Sequence, residues 1–210
     1  MNKSLTAIIL SAGEGNRAKE HYPDIPKALI PVCGLPMAEY LDKILKGSGL
    51  FKTVFFNVRL EDERFFHDYD APLLLEEKPY GNAGALRKFS EYLSNPFLAH
   101  HCDVFSDINY RKLYETFLEN NALATMTLAT PKKPGSFGVP QLKKNRIVGF
   151  RREEKASKLV NAGVYFFKRE AISLIEDGFQ DLDKDLFPKL IEKNELSYYI
   201  HPGSWMDVGG

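Results

Sequence analysis

Apolar residues along this chain fall into short dense runs, separated by stretches in which they recur at helical spacing. Leu5–Leu10 (LTAIIL) is almost wholly apolar and gives way to Gly13 and Gly15, the pattern of a strand covered on both faces of a parallel sheet. It is expected to be the first, central strand. Met37, Tyr40, Leu41, Ile44 and Leu45 follow Pro36 at helical spacing, and Gly47 and Gly49 supply the stop. Residues 52–58 (KTVFFNV) read as a second buried strand. Leu86, Phe89, Tyr92 and Leu93 form another helical stripe, followed by a strand over 97–104, a helix over 110–119 and a strand over 122–129.

Such alternation predicts an α/β fold with a doubly wound, mostly parallel, Rossmann-like sheet. Over residues 130–167 the pattern changes. Pro131, Pro134, Gly135, Gly138 and Pro140 punctuate short β-prone pieces at 146–150 and 163–167, which predicts a small antiparallel β insertion or lid. Helices near 169–176 and 184–193 and a strand at 196–201 complete the α/β part. No repeat or low-complexity tract is present, and the 210 residues are expected to form one domain.

Charge removes several function classes. Lys plus Arg number 28 and Asp plus Glu number 28, so no global field draws the protein to nucleic acid or to an acidic membrane. Anion binding must therefore be local. The early charges Glu14, Arg17, Lys19 and Glu20 interrupt the N-terminal apolar run before it reaches the length of a signal core or membrane span. Two cysteines, Cys33 and Cys102, argue against a disulfide scaffold and fit a reducing, cytoplasmic setting.

The segment SAGEGNRA, residues 11–18, follows the first strand and meets the dinucleotide-binding fingerprint in its loose form, G-x-G-x-x-A. A nicotinamide site needs a helix that starts in the glycines and continues for several turns. Pro23, Pro26 and Pro31 interrupt that stretch, and an interior proline costs about 3 kcal/mol, so the oxidoreductase reading is set aside. What remains is a glycine turn whose amides can approach phosphate, with Arg17 and then Lys27 close by in sequence.

These pieces, LSAGEGNR followed by PKALIPV at 26–32, resemble the signature of the sugar-1-phosphate nucleotidyltransferases. Further segments follow in the family's order. EEKPYGNAGAL at 76–86 resembles the E-E-x-P-x-G-T-A-G-A-L segment that lies under the nucleobase, with Asn82 where threonine is usual. Cys102-Asp103-Val104 stands where the family has N-G-D, FRREEKASKLVNAG at 150–163 resembles its F-x-E-K-P and N-A-G stretch, and Trp205-Met206-Asp207-Val208-Gly209 resembles W-x-D-[IV]-G.

The resemblance implies transfer of a nucleoside monophosphate from an NTP to a sugar 1-phosphate, with Mg2+ as cofactor and no protein nucleophile. It implies that Arg17 clamps the β and γ phosphates and that Lys27 sits at the α-phosphate. The resemblance alone implies that Asp103 and Asp207 hold the metal, since no spacing rule pairs two aspartates so far apart. Ala12, Gly13, Gly15 and the Gly81, Asn82, Gly84 segment hold base and ribose. Gly138, Glu154, Lys155 and Asn161 hold the sugar phosphate, which makes 130–167 a sugar-binding insertion. The wording of 76–86 is most like guanylyltransferases acting on mannose or heptose 1-phosphate, so GTP is favoured, with UTP, dTTP or CTP as alternatives. The oligomeric state is open, an oligomer being compatible with everything above.

The chain departs from the pattern in places. His101-Cys102 replaces Asn-Gly, Ala156 replaces proline, the Glu154-Lys155 pair is displaced by one residue, and Arg151 or Arg152 is an alternative phosphate contact. The chain stops at Gly210, where family members usually continue, which implies a shortened chain or a small natural variant. These departures support a second reading, a nucleotide-binding regulatory module with reduced turnover; a third, phosphocholine cytidylyl transfer, rests only on the PKAL wording. A zinc site at His100, His101, Cys102 and Asp103 is disfavoured because neighbours on a strand face opposite ways.

Overall fold

The computed structural model describes residues 5–13, 22, 24–131, 138–152 and 159–208. In chain order these form β1 (Leu5–Leu10), the small hairpin β2 (Pro31–Val32) and β3 (Leu35–Pro36), α1 (Met37–Gly47), β4 (Phe51–Arg59), β5 (Leu73–Glu76) and α2 (Gly81–Lys88). There follow β6 (Phe97–His101), β7 (Val104–Ser106), α3 (Tyr110–Asn120), β8 (Ala124–Ala129), β9 (Gly138–Lys143), β10 (Arg146–Arg152), β11 (Val160–Phe167), α4 (Phe187–Glu192), β12 (Leu196–Ile200) and β13 (Trp205–Asp207).

Nine strands make one sheet in the order β5-β4-β1-β6-β11-β8-β12-β10-β9. The four strands β5, β4, β1 and β6 are mutually parallel, as the alternating pattern predicts. β1 shows why its sequence carries no polar face. Leu5, Ala7 and Ile9 enter one core and Ile8 and Leu10 the other, so every second residue is buried by a different layer of helices. Met37, Ala38, Leu41 and Leu45 of α1, with Leu113 and Phe117 of α3, fill the first core. Ala83, Ala85 and Leu86 of α2, with Phe187 and Leu190 of α4, fill the second. No helix among the described residues is long and apolar enough to cross a membrane.

Three elements differ from the sequence expectation. The stripe at 86–93 begins a turn earlier, because the α-helix spans Gly81–Lys88 and Phe89 and Leu93 are buried from the 3-10 turn that follows. The single strand expected over 97–104 is two: β6 ends at His101, the chain turns at Cys102 and Asp103, and β7 leaves to pair with β13. β11 begins at Val160 and lies inside the main sheet, antiparallel to β6 and β8, whereas the antiparallel pair β9 and β10 extends that sheet at its edge.

Candidate active site

The carboxyl ends of β4, β1 and β6 lie level, with Leu10 opposite Asn57 on one side and His101 on the other. In an open α/β sheet this is where ligands bind. Ser11 carries β1 into the turn, its N–H donating to the Asn57 carbonyl at 3.0 Å and its hydroxyl to the same oxygen at 2.6 Å. Ala12 and Gly13 follow at the rim of a cavity of about 1000 Å³, which Lys27, Glu76, Gly81, Asn82 and Asp103 also line. A second chamber of about 410 Å³ lies beyond it, lined by Gly138, Asn161, Asp183, Asp207 and the rings of Phe150, Tyr165 and Trp205. His101 and Asp103 belong to both, so the chambers meet at the end of β6.

Lys27 stands at this junction. The 3-10 turn Lys27–Leu29 follows Pro26 and is anchored by fully buried Ala28, with the Leu29 N–H donating to the Pro26 carbonyl at 2.8 Å. The ammonium forms a hydrogen-bonded ion pair with Asp103 Oδ2, and each side chain is more than four-fifths buried. Burial alone would discharge both groups. For Lys27 the Asp103 carboxylate outweighs that penalty and raises its pKa. For Asp103 burial pushes upward, but His101 and Lys27 outweigh it and hold the carboxyl below its ordinary value. Both partners are therefore charged near neutrality.

The two aspartates that spacing cannot pair are brought together by the second sheet. β13 runs antiparallel to β7 with Asp207 opposite Val104, and the Val208 N–H donates to the Asp103 carbonyl at 2.9 Å. β13 is held in turn by Trp205, whose indole N–H donates to the Ala162 carbonyl at 3.0 Å. Two carboxylates with hard oxygens suit Mg2+, which takes one or two protein carboxylates and completes its shell with water and substrate phosphate.

Of the residues singled out from sequence, the structure gathers Ala12, Gly13, Lys27, Gly81, Asn82 and Asp103 on the first chamber and Asp103, Gly138, Asn161 and Asp207 on the second. Gly15, Arg17, Glu154 and Lys155 lie outside the described residues. Gly84 lies one helical turn on from Gly81 in α2, and its missing side chain admits the backbone of 178–180, since a Cβ there would sit 2.6 Å from the Gly178 carbonyl. Gly81, at φ +72°, meets the Gln180 backbone in the same way, and the Ala83 and Gly84 N–H groups both donate to the Gln180 carbonyl at 3.0 and 3.1 Å. Gly84→Ala is accordingly expected to lower stability by about 1–3 kcal/mol, as overpacking does. An unchanged denaturation midpoint would show that the backbone of 178–180 moves aside freely.

His100 and His101 separate as strand geometry requires. His100 is fully buried, its Nε2 3.1 Å from the Tyr110 hydroxyl and its pKa lowered by burial to about 4, while His101 packs against Tyr165 on the opposite face. Cys102 is buried in the core, where loss of water drives its thiol far above the ordinary range and makes it inert. In the folded protein one thiol, that of exposed Cys33, is expected to react rapidly with a disulfide reagent, and its blocking to leave turnover unchanged. Two fast thiols would contradict the burial of Cys102.

Sequence reasoning assigns no role to Asn57, Glu76, Tyr165 or Asp183. Asn57 is a polar residue closing an apolar strand, and Glu76 stands inside the quoted E-E-x-P segment, so both carried a signal. Asn57 Nδ2 donates to Glu76 Oε1 at 3.0 Å, and the Tyr80 N–H donates to Oε2 at 3.3 Å. Tyr165 follows N-A-G with nothing in its neighbours to mark it as other than core.

Comparison with known proteins places the chain in a family. A protein of Sulfolobus acidocaldarius, provisionally named a mannose-1-phosphate guanyltransferase, is 31% identical over 217 residues, covering 98% of this chain and 60% of the relative. A UTP–glucose-1-phosphate uridylyltransferase of Synechocystis is 30% identical over 234 residues, with the same 98% and 60% coverage. This chain thus spans about 60% of the length of these relatives. The crystal structure of HddC from Yersinia pseudotuberculosis complexed with GMP-PN superposes with a TM-score of 0.85 at 17% identity, covering 98% of this chain and 94% of that one, and so shares its fold. A model of the nucleotidyl transferase family matches residues 6–210, and the chain belongs to that family.

Proposed function

We propose that the protein transfers GMP from GTP to a sugar 1-phosphate, mannose or heptose 1-phosphate being favoured, with release of pyrophosphate. The observation that carries this reading is the Lys27–Asp103 ion pair at the junction of the two chambers, with Asp207 beside it on the paired strand. A nucleotide in the larger chamber and a sugar phosphate in the smaller would bring their reacting phosphates to that junction. The acceptor phosphate has a second pKa near 6, so it is largely dianionic at neutral pH and needs no general base. Its oxygen attacks the α-phosphorus, a P–O bond forms, and the bond to the bridging oxygen of pyrophosphate breaks.

What the protein must supply is alignment and charge. Lys27 is assigned to the α-phosphate, where negative charge accumulates, and Arg17 to the β and γ phosphates. Asp103 and Asp207 would hold Mg2+, whose charge offsets the repulsion between the two phosphates. Ala12, Gly13, Gly15, Gly81, Asn82 and Gly84 are assigned to base and ribose, and Gly138, Glu154, Lys155 and Asn161 to the sugar phosphate. Glu76 supports the choice of GTP. The residue is 5% exposed on the wall of the larger chamber, and an acceptor-only carboxylate matches the adjacent N1–H and 2-amino donors of guanine. The two unpaired cysteines favour a reducing, cytoplasmic setting.

The test is pyrophosphate release with Mg2+, each nucleoside triphosphate in turn, and a panel of sugar 1-phosphates that includes mannose and heptose 1-phosphate. Release that needs both substrates and disappears in Asp103→Ala is expected, greatest with GTP. Nucleotide binding without release for any pair would favour the regulatory module instead.

A further inference from the structure

The wall of the smaller chamber carries polar groups that the transfer reaction does not use. Tyr165 is 1% exposed, its ring packed at 5.3 Å from Phe187 and 5.8 Å from Phe167, yet it lines the chamber, and its hydroxyl has the Asn161 side chain as a polar neighbour but no partner at full hydrogen-bond geometry among the described residues. His101 meets the same ring edge-on at 5.6 Å, and its Nε2 is likewise buried without a hydrogen-bond partner among the described residues. Their neighbours on the wall are Asn161 and Asp183, joined by a 3.3 Å hydrogen bond from Asn161 Nδ2 to Asp183 Oδ1. A core position that needed only volume would carry phenylalanine, as the next inward position, Phe167, does. Leaving a hydroxyl and an imidazole nitrogen buried and unpaired costs stability, so such groups are normally satisfied by protein, water or ligand.

Local backbone geometry keeps His101 at this wall. Gly163, at φ +74°, sits where β11 bulges between Asn161 and Tyr165, and a Cβ there would come within 3.1 Å of His101 Nδ1 and 3.0 Å of Val104 Cγ2. The Asn161 side chain holds the bulge by accepting from the Gly163 N–H at 3.0 Å. A glycine bulge on β11 and the end of β6 thus bring one donor-acceptor pair, the Tyr165 hydroxyl and His101 Nε2, to a chamber of about 410 Å³ with an apolar floor of Phe150 and Trp205.

We infer that Tyr165 and His101 are specificity-determining residues for the acceptor, hydrogen-bonding a ring hydroxyl of the sugar 1-phosphate in the smaller chamber. This rests on the transfer reaction proposed above and deepens it on the sugar side. The Tyr165 hydroxyl both donates and accepts, and His101 Nε2 does either according to its tautomer, which suits a hydroxyl, and the surrounding rings offer an apolar face to the C–H side of a pyranose. Asp183 adds an acceptor beside them.

Tyr165→Phe removes one oxygen from a packed position and should fold. The expected result is a KM for mannose 1-phosphate, or for whichever acceptor of the panel the wild type turns over, raised about tenfold, the loss of one neutral hydrogen bond. The KM for GTP should stay unchanged, and the thermal midpoint without substrate should be unchanged or higher. His101→Asn should raise the acceptor KM similarly. Of the 2-, 3-, 4- and 6-deoxy analogues of the acceptor, one should be poor for the wild type and no poorer for Tyr165→Phe. An unchanged acceptor KM in Tyr165→Phe, with the wild type active, overturns this inference alone; a lowered midpoint with both KM values unchanged would identify the hydroxyl as structural. No turnover by the wild type with any acceptor overturns the parent reading and this one with it.

Discussion

Replacing Lys27 by methionine is expected to cut turnover about a thousandfold, the loss associated with one preorganised donor at a developing negative charge. The position leaves little room for compensation. Lys27 comes from a 3-10 turn anchored by buried Ala28, and its side chain is 17% exposed beside an Asp103 side chain that is 15% exposed, so bulk water cannot take over its charge. The variant also strands the Asp103 carboxylate without its partner, which should cost about 3 kcal/mol of stability. Lost activity and lost folding must therefore be separated. The double variant Lys27→Met with Asp103→Asn removes both charges and should recover much of the stability but none of the turnover. Near-normal turnover in folded Lys27→Met would remove the lysine from the mechanism.

The same pair fixes what pH should do. Lys27 is raised above the ordinary lysine range, so its contribution is fully present below that range and is lost only as pH climbs through the raised value. Asp103 is lowered, so its contribution is present above the ordinary carboxylate range and lost as pH falls through the depressed value. Neither limb lies near neutrality. The acid limb of turnover is then expected from the second ionisation of the acceptor phosphate, near pH 6, and from Glu76, whose pKa burial raises, rather than from the Lys27–Asp103 pair.

Much of the fold was legible because burial on two faces leaves a plain mark. The run Leu5–Leu10 and the stripe behind Pro36 predict β1 and α1 almost to the residue, since each apolar position has one core to enter. The turn at Cys102 and Asp103 was not legible, because no glycine or proline marks the break between β6 and β7 and only their partners differ: β6 pairs with β1 and β11, β7 with β13. That turn is also what sets Asp103 beside Asp207. Residues about a hundred positions apart meet there through a three-residue strand pair too short to announce itself. Gly84 illustrates a different limit. Its motif suggests close approach to a ligand, and nothing in the sequence announces that the chain's own backbone at 178–180 packs against it as well. For Tyr165 the sequence is silent, since a tyrosine whose hydroxyl faces a cavity and one whose hydroxyl is paired read alike.

Exchanging Glu76 for glutamine is expected to lower turnover with GTP about a hundredfold and to narrow the preference for GTP over UTP, because the substitution changes hydrogen-bond polarity with almost no change of shape. Each oxygen of Glu76 already accepts one hydrogen bond, Oε1 from Asn57 and Oε2 from the Tyr80 N–H, which fixes the carboxylate plane and leaves further lone pairs for the chamber. Burial raises the Glu76 pKa while the bonds from Asn57 and Tyr80 oppose that rise. An acceptor-only group rewards guanine, which offers two neighbouring donors at N1–H and the 2-amino group. It serves uracil less well, with its single N3–H between two carbonyls, and it opposes the ring nitrogens N1 of adenine and N3 of cytosine, which are acceptors. Glutamine replaces one acceptor by a donor, and a good bidentate contact with a base is worth about 1–3 kcal/mol of discrimination. Inosine triphosphate offers an independent check, since it keeps N1–H and lacks the 2-amino group: the wild type should distinguish it from GTP, and Glu76→Gln should distinguish the two much less. Equal use of GTP and inosine triphosphate by the wild type would show that the carboxylate does not read the base edge, and that base choice must lie with the backbone around Gly81 and Asn82.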